Sequence, residues 1–380
     1  MKRVLLPERA NWQQAHQEIG FDYYNLPSRD GSMYWSEGVA YEFSLKQIEQ
    51  LEDASNELHQ MCLEVAGDMI QRGHYPEYFQ IPPAAIPLIE HSWKNQAPML
   101  YGRFDFAYDG QAIKMLEYNA DTPTGLLEAS VAQWHWIEQV ENIANRDQFN
   151  SIHEKLIERW KQLYPARSRV HFAACQEAGR EDWGNLEYLM DTAFQAGLNV
   201  SELSMENIGW NGTAFVDLHQ QEIQHLFKLY PWEWIWEENF SQFLKPETEW
   251  IEPCWKMLLS NKALLIELWK RFPNHPLLLE THAYDAHAHY AGKWVRKPIL
   301  AREGANIHIL QNNVDCGAAS GSFYFDDYDK YGYVMQRWVK TPLHEGMLPT
   351  LGLWMVGDEC AGMSLREDVF DVIGNDAHFA

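Results

Sequence analysis

Between about residues 45 and 75, the apolar residues Leu45, Ile48, Leu51, Leu58, Met61, Cys62, Val65, Met69 and Ile70 recur at helical spacing among Glu and Gln. That period puts them on one stripe, so the segment predicts a single long amphipathic helix. Pro82-Pro83 and Pro87 then break the pattern. Residues 99–108 and 111–119 read as two strands around an Asp109-Gly110 turn, a hairpin. Helical patterning resumes from about 125 to 165. From 167 to 240, short strand-like runs at 169–172, 200–203 and 214–216 alternate with helical stretches, an α/β pattern. A second unit begins near Glu252-Pro253. It predicts a helix over 261–272 that ends at Pro273-Asn274-His275-Pro276, a strand over 294–299, a tight loop at 301–306 and a return strand at 307–310. Further strands are expected at 333–339 and 354–356.

Composition narrows the class. Hydrophobic residues make up 46% of the 380 positions and charged residues 22%, as in ordinary globular chains, and 17 Trp supply large cores. Against 54 Asp and Glu stand only 30 Lys and Arg, a formal net charge of −24. Phosphate neutralisation needs a basic face, so nucleic-acid binding is excluded, and docking on an anionic membrane is disfavoured. An acidic field instead attracts cations, metals and polyamines among them. The start lacks a sustained apolar stretch, and no run approaches ~18 apolar residues, so neither a signal peptide nor a membrane span is expected. Five dispersed cysteines without CxxC spacing argue against a disulfide framework or structural zinc site. The expected setting is cytoplasmic.

Two segments carry chemistry. Glu117 and Asn119 are two apart on a predicted strand and share a face, as do Arg103 and Asp105 on its partner. Whether the pairs face the same way depends on the turn. A two-residue Asp109-Gly110 turn places Asp105 and Glu117 on opposite faces. An odd-length loop such as Tyr108-Asp109-Gly110, with Gly110 left-handed as a G1 bulge, restores a common face. A cluster of Asp, Glu and Asn oxygens suits Mg²⁺, and an adjacent arginine can stabilise charge on a transferring phosphoryl group. A solvated hairpin with ordinary surface charges is the plainer alternative. In the second segment, Lys297 stands five residues before Arg302-Glu303-Gly304-Ala305-Asn306. Amides of a tight loop can cradle phosphates while a lysine supplies a point charge. The GxxxxGK[ST] pattern is absent, which excludes a P-loop and leaves a plain hairpin turn as the alternative. Lys262 reads as a helix-surface lysine, and Arg366 is mute by itself.

Together these segments form a longer series. Arg103-x-Asp105, Glu117-x-Asn119-x-Asp121-Thr122-x-Thr124, Leu229-Tyr230-Pro231-Trp232-Glu233, Glu252-Pro253-Cys254-Trp255-Lys256, Ser260-Asn261-Lys262, Lys297-Pro298, Arg302 to Asn306 and Arg366-Glu367-Asp368 stand in one order. That series resembles the glutathionylspermidine synthase family, from the Phe21-Asp22 region to about residue 375. The similarity is to the stand-alone synthetase form, without the amidase domain of bifunctional members. It implies an α+β or α/β chain with an ATP-grasp fold and a pre-ATP-grasp region, in a permuted, glutathione-synthetase-like arrangement. Residues 1–95 would be an N-terminal helical region and 96–250 the catalytic hairpin with the α/β pre-ATP-grasp region. Residues 251–380 would be the nucleotide-binding region, with a lid loop near 300–310.

The resemblance further implies an ATP-dependent ligase that joins a glutathione-like peptide carboxylate to a polyamine-like amine through an acyl phosphate. A ligase for another acid or peptide, and an ATP-binding protein of reduced catalysis acting through a binding partner, are the alternatives. Position by position, Asp105, Glu117 and Asn119 would hold Mg²⁺, and Arg103 would stabilise the transition state with Arg366 clamping the same region. Lys262 and Lys297 would contact the ATP phosphates, with Gly304 and Ala305 closing over them. Gln336, Arg337, Trp338 and Val339 would bind adenine through an edge-strand backbone. Thr122 and Thr124 stand where glutathione-binding members have serines and would bind the acid. The family's Arg-Phe-x-Pro-His ending is represented only by Asp376-Ala377-His378-Phe379-Ala380. Glu138, Glu141 and Asp217 are candidates to meet the amine, with solvated surface charge as the alternative. The histidines of 282–289 read as a solvated loop or helix, and the tryptophans of 134–136 and 232–236 as core.

Overall fold

The computed structural model describes residues 1–380 except Arg29, Asn142, Ala144, Ser320, Phe323, Phe325 and Asn375 and the side chains of Asp326 and Asp327. The long helix spans Leu45–Arg72. Its start is a capping box, in which the Ser44 hydroxyl accepts from the Gln47 amide and the Gln47 side chain accepts from the Ser44 amide. Gly73, at φ 58°, ends it in the left-handed conformation. The predicted stripe is buried: Leu51, Leu58, Cys62, Val65 and Met69 share one core with Phe104, Phe106, Met115 and Tyr118 of the hairpin. Each large apolar side chain so buried stabilises the fold by roughly 1.5–3 kcal/mol.

The hairpin strands are Tyr101–Tyr108 and Ile113–Asn119. Their connection matches neither expected turn. Residues 109–112 form it, with Asp109 Oδ1 accepting from the amides of Gln111 at 2.9 Å and Ala112 at 2.6 Å. Tyr108 lies opposite Ile113 and Phe106 opposite Met115, yet Asp105 lies opposite Glu117 and Arg103 opposite Asn119. Leu116 is therefore an extra residue on the second strand. This β-bulge, not an odd-length turn, puts Arg103, Asp105, Glu117 and Asn119 on one face. The other face is core, where Phe104 and Tyr118 stack with ring centroids 3.8 Å apart.

Three larger sheets organise the chain. The hairpin forms one side of a five-stranded antiparallel sheet completed by Leu348–Val356, Glu359–Asp368 and His378–Phe379. The segment 251–380 is thus split between sheets, because Leu348–Val356 pairs directly with the hairpin strand Tyr101–Tyr108. The strand expected at 354–356 is nine residues long, and Glu359–Asp368 was not expected. Both faces of Glu359–Asp368 are largely buried, so it lacks the alternation that marks a half-exposed strand. A four-stranded parallel sheet, ordered Glu249–Ile251, His225–Leu229, Arg169–Ala174 and Asn199–Ser204, carries the α/β region. The third sheet is antiparallel, ordered Thr281–Ala283, Tyr333–Arg337, Lys293–Pro298, His308–Gln311 and Val314–Ala318.

The helix expected from 125 to 165 is interrupted. A π-helical turn at Glu128–Ala132 runs into Gln133–Gln139, and the next helix is Ile152–Leu163. Val140 is extended, and Asn145 accepts from the Asp147 amide in a side-chain turn that competes with helix. Among the described residues no helix is long and apolar enough to cross a membrane.

Candidate active site

Two adjoining cavities lie between the hairpin sheet, the parallel sheet and the third sheet. One, of about 390 Å³, is walled by Arg103, Asn119, Thr122, Thr124 and Arg366 among others. The other, of about 140 Å³, is walled by Lys297, Ala305, Gln336, Arg337, Trp338 and Val339. Asp105, Glu117, Lys262, Arg302 and Gly304 belong to both walls. Every residue expected to bind metal, nucleotide or acid, with Arg103 and Arg366, therefore borders one chamber or the other.

At the junction the charges interlock. Arg103 grips Asp105 through two hydrogen bonds, Nε to Oδ1 at 2.7 Å and a terminal nitrogen to Oδ2 at 3.1 Å, and donates to the Thr124 carbonyl at 2.6 Å. Lys262 lies 3.0 Å from Glu117 Oε2 and donates to the Ala301 carbonyl at 2.7 Å. It precedes the helix Leu264–Arg271 rather than riding on its surface. The reason is Asn261, whose side chain accepts from the Ala263 amide and donates to the Phe79 carbonyl. Burial alone would raise the Glu117 carboxyl, but Lys262 and Lys297 outweigh it and hold the group down at about 2. Burial pushes Lys297 down to about 8. Asp105 is raised by burial against the pull of Arg103.

Two carboxylates and an amide oxygen form a hard donor set. The Asn119 amide nitrogen donates to Asp105 Oδ2 at 3.2 Å and Glu117 Oε1 at 3.3 Å, so the three side chains converge on one spot. The residues fit a Mg²⁺ ion that completes its shell with phosphate and water.

The segment 336–339 departs from its expected geometry. Tyr333–Arg337 is an interior strand, not an edge, and the Arg337 and Trp338 amides already donate to the carbonyls of Glu280 and Lys293. The Gln336 side chain turns toward the lysine instead, accepting from Lys297 Nζ at 2.6 Å and donating to the Met115 carbonyl at 3.2 Å. The wider chamber also has an acidic side: Glu233 and Glu303, which the motif series contains without a role, and Glu181 and Asp182, which sequence reasoning missed. Burial, then Glu181 and Glu303, raises the Asp182 carboxyl to about 7. Glu138 and Glu141 are exposed outside this wall, and Asp217 caps its own turn beside His171. Glu181 and Asp182 sit in the first turn of Arg180–Gln195, and only tertiary folding brings them to the hairpin.

Gly304 makes the loop 301–306 testable. Its φ is 70°, and a Cβ there would come within 2.6 Å of Val372 Cγ1 and 3.0 Å of the Ile373 carbonyl oxygen. Gly304→Ala should cost about 1–2 kcal/mol in this loop conformation, and a nucleotide held beneath the loop should bind roughly 5- to 30-fold more weakly. Calorimetric titration with ADP reads this directly; unchanged affinity would separate the loop from nucleotide binding.

Comparison with solved structures shows a glutathione synthetase-like fold of mixed helix and sheet. A glutathione synthetase-like effector from Globodera pallida superposes with a TM-score of 0.58 at 10% identity, covering 95% of each chain. The chain belongs to the family described as glutathionylspermidine synthase preATP-grasp, which matches residues 3–380. It is 51% identical, over 100% of its length and 98% of the relative's, to the "Putative acid--amine ligase" of Haemophilus influenzae. Trypanothione synthetase from Crithidia fasciculata is 26% identical over 98% of this chain. The bifunctional glutathionylspermidine synthetase/amidase of Escherichia coli is 25% identical over 84% of it. The chain spans 61% and 55% of the length of those two relatives.

Proposed function

We propose that the protein is an ATP-dependent acid–amine ligase of the ATP-grasp type, in the permuted arrangement where metal ligands precede the nucleotide lysines. The observation that carries this reading is the junction itself: Asp105, Glu117 and Lys262 stand where the two chambers meet. In it ATP occupies the smaller chamber, with Lys262 and Lys297 on its phosphates, Gly304 and Ala305 over them, and the chain at 336–339 beside the adenine. Asp105, Glu117 and Asn119 hold Mg²⁺, which when bound neutralises phosphate charge during transfer. A glutathione-like peptide carboxylate lies in the wider chamber against Thr122 and Thr124, and a polyamine-like amine meets Glu181, Asp182 and Glu303.

The chemistry follows from that placement. A carboxylate oxygen of the acid attacks the γ-phosphorus, and the bond to ADP breaks, leaving an acyl phosphate. Arg103 and Arg366 stabilise the charge that develops on the transferring group. The amine nitrogen then attacks the acyl carbon, phosphate departs, and an amide remains. The amine must arrive neutral, and Asp182, poised near neutrality, is suited to hold the proton it sheds. Water would hydrolyse the acyl phosphate, so loop 301–306 closes the chamber. Arg302 pairs with Glu233 across the chamber, which favours a closed loop.

The test is release of ADP and phosphate with Mg²⁺ and a panel of acids and amines. The expected result is release that requires one acid and one amine together, with diamines and polyamines the first acceptors to try. If nucleotide binds but no pair raises release above background, the ligase reading fails.

A further inference from the structure

Glu128 opens the π-helical turn Glu128–Ala132 and is fully buried. Among the described residues no lysine, arginine or histidine pairs with it. Two phenols serve its oxygens instead: Tyr34 donates to Oε1 at 2.8 Å and Tyr23 to Oε2 at 3.1 Å. A buried carboxyl without a cation is a poor way to stabilise a fold, and π-turns recur at functional sites. Tyr34 leads to the chamber. Its ring lines the wall, and the Arg366 guanidinium lies 5.7 Å from the ring centroid. Arg366 also donates to the Gly374 and Ala377 carbonyls at 2.8 and 3.3 Å. The Tyr34 backbone is tied to the last strand, since the Phe379 amide donates to its carbonyl at 2.8 Å.

We infer that Glu128 is a positioning residue for the ligation: by holding the Tyr34 hydroxyl it fixes the aromatic face on which Arg366 rests, and so the reach of Arg366 into the chamber. The inference rests on the ligase reading of the cleft for its kinetic consequence, but its structural half does not. The backbone ties of Tyr34 set where its ring begins, edge contacts with Phe21 and Phe379 pack it, and the Glu128 bond pins its hydroxyl end. Tyr23 shares the carboxyl through its other oxygen, so one group serves two rings.

Glu128→Gln keeps the shape but offers one phenol a donor in place of an acceptor. Tyr34→Phe keeps the ring and removes only the hydroxyl. Each is expected to lower kcat about tenfold with KM for ATP changed less than twofold, and the double variant should lose no more than either alone. Losses that multiply, or unchanged kcat in the folded single variants, would overturn the inference. If Glu128→Gln fails to fold, Tyr34→Phe still carries the test. A second readout is independent of any substrate. The side-chain nitrogen resonance of Arg366, assigned by its disappearance in Arg366→Lys, should shift alike in both variants. An unmoved resonance sinks the inference whatever reaction the cleft performs.

Discussion

Glu117→Gln is expected to lower ATP-dependent turnover on the order of 10²- to 10³-fold while the protein still folds. Glu117 stands on both chamber walls, directly opposite Asp105 across the hairpin and 3.0 Å from Lys262. The substitution keeps its shape and its oxygen toward Asn119 but removes the charge. That charge does two things in the proposed reaction: it binds Mg²⁺, and it keeps Lys262 and Lys297 directed at the junction. Burial opposes ionisation here, but the two lysines bring the carboxyl to about 2. A depressed carboxyl contributes its charge above the unfolded value and loses it only as pH falls through the folded one. The charge is therefore complete at any neutral pH. Glu117 also raises Lys297, which burial brings to about 8, so without it that lysine loses its proton sooner and the deficit of the variant should deepen from about pH 6 to 8. Calorimetry adds a readout beyond turnover, since ADP binding by the variant should lose most of its dependence on Mg²⁺. Undiminished turnover, or a Mg²⁺ dependence equal to that of the parent, would remove Glu117 from the metal set.

What could be read from the sequence follows the range of the interactions involved. The helix Leu45–Arg72 is marked by local periodicity and by Ser44 and Gly73 at its ends, all of which are short-range signals. Strand alternation paired Arg103 with Asp105 and Glu117 with Asn119. It could not relate one pair to the other, because that depends on Leu116, a bulge residue with no local mark. Glu359–Asp368 lay hidden because burial on both faces erases alternation. The acidic pair Glu181 and Asp182 was illegible for a different reason: each is an ordinary helix-start acid until folding carries it across the chamber.

Motifs also mislead when support and chemistry look alike in sequence. Glu252-Pro253-Cys254-Trp255-Lys256 borders neither chamber. Lys256 instead donates to Glu252 at 2.6 Å, both buried, and Glu252 accepts the amides of Leu100 and Tyr101. The motif anchors the start of the hairpin that carries Arg103. Asp121, two residues past Asn119, has the same character.

Asp121→Ala is expected to destabilise the protein by about 3–5 kcal/mol. Asp121 and Lys228 are both buried, 2.6 Å apart, and the second Asp121 oxygen accepts the Trp232 amide at 3.0 Å. Lys228 also sits 4.8 Å from the Trp232 ring centroid. Removing the carboxylate strands an ammonium and an amide in the core, and neither has water to turn to. Such a loss is a large share of the ~5–15 kcal/mol that typically holds a domain folded. The pair's own net worth is smaller than this figure, because its formation already costs desolvation of both ions. Replacing both partners with apolar residues, Asp121→Leu with Lys228→Met, should therefore cost less than the sum of the two single changes. Urea unfolding of the single and double variants measures that coupling. A loss below about 1 kcal/mol for Asp121→Ala would mean the pair behaves as a solvated surface contact. The consequence reaches the chemistry, since Asp121 is followed directly by Thr122-Pro123-Thr124. Lys228 ties that turn to the parallel sheet, and the Ala120 amide, donating to Ser260 Oγ at 2.9 Å, ties it to the segment bearing Lys262. With Asp121 gone, the turn loses its tie to the parallel sheet and keeps those from Ser260, from Tyr101 to the Pro123 carbonyl and from Arg103 to the Thr124 carbonyl. KM for the acid should therefore rise modestly in any Asp121 variant that still folds. Equal KM values would show that the turn holds its shape without the buried pair.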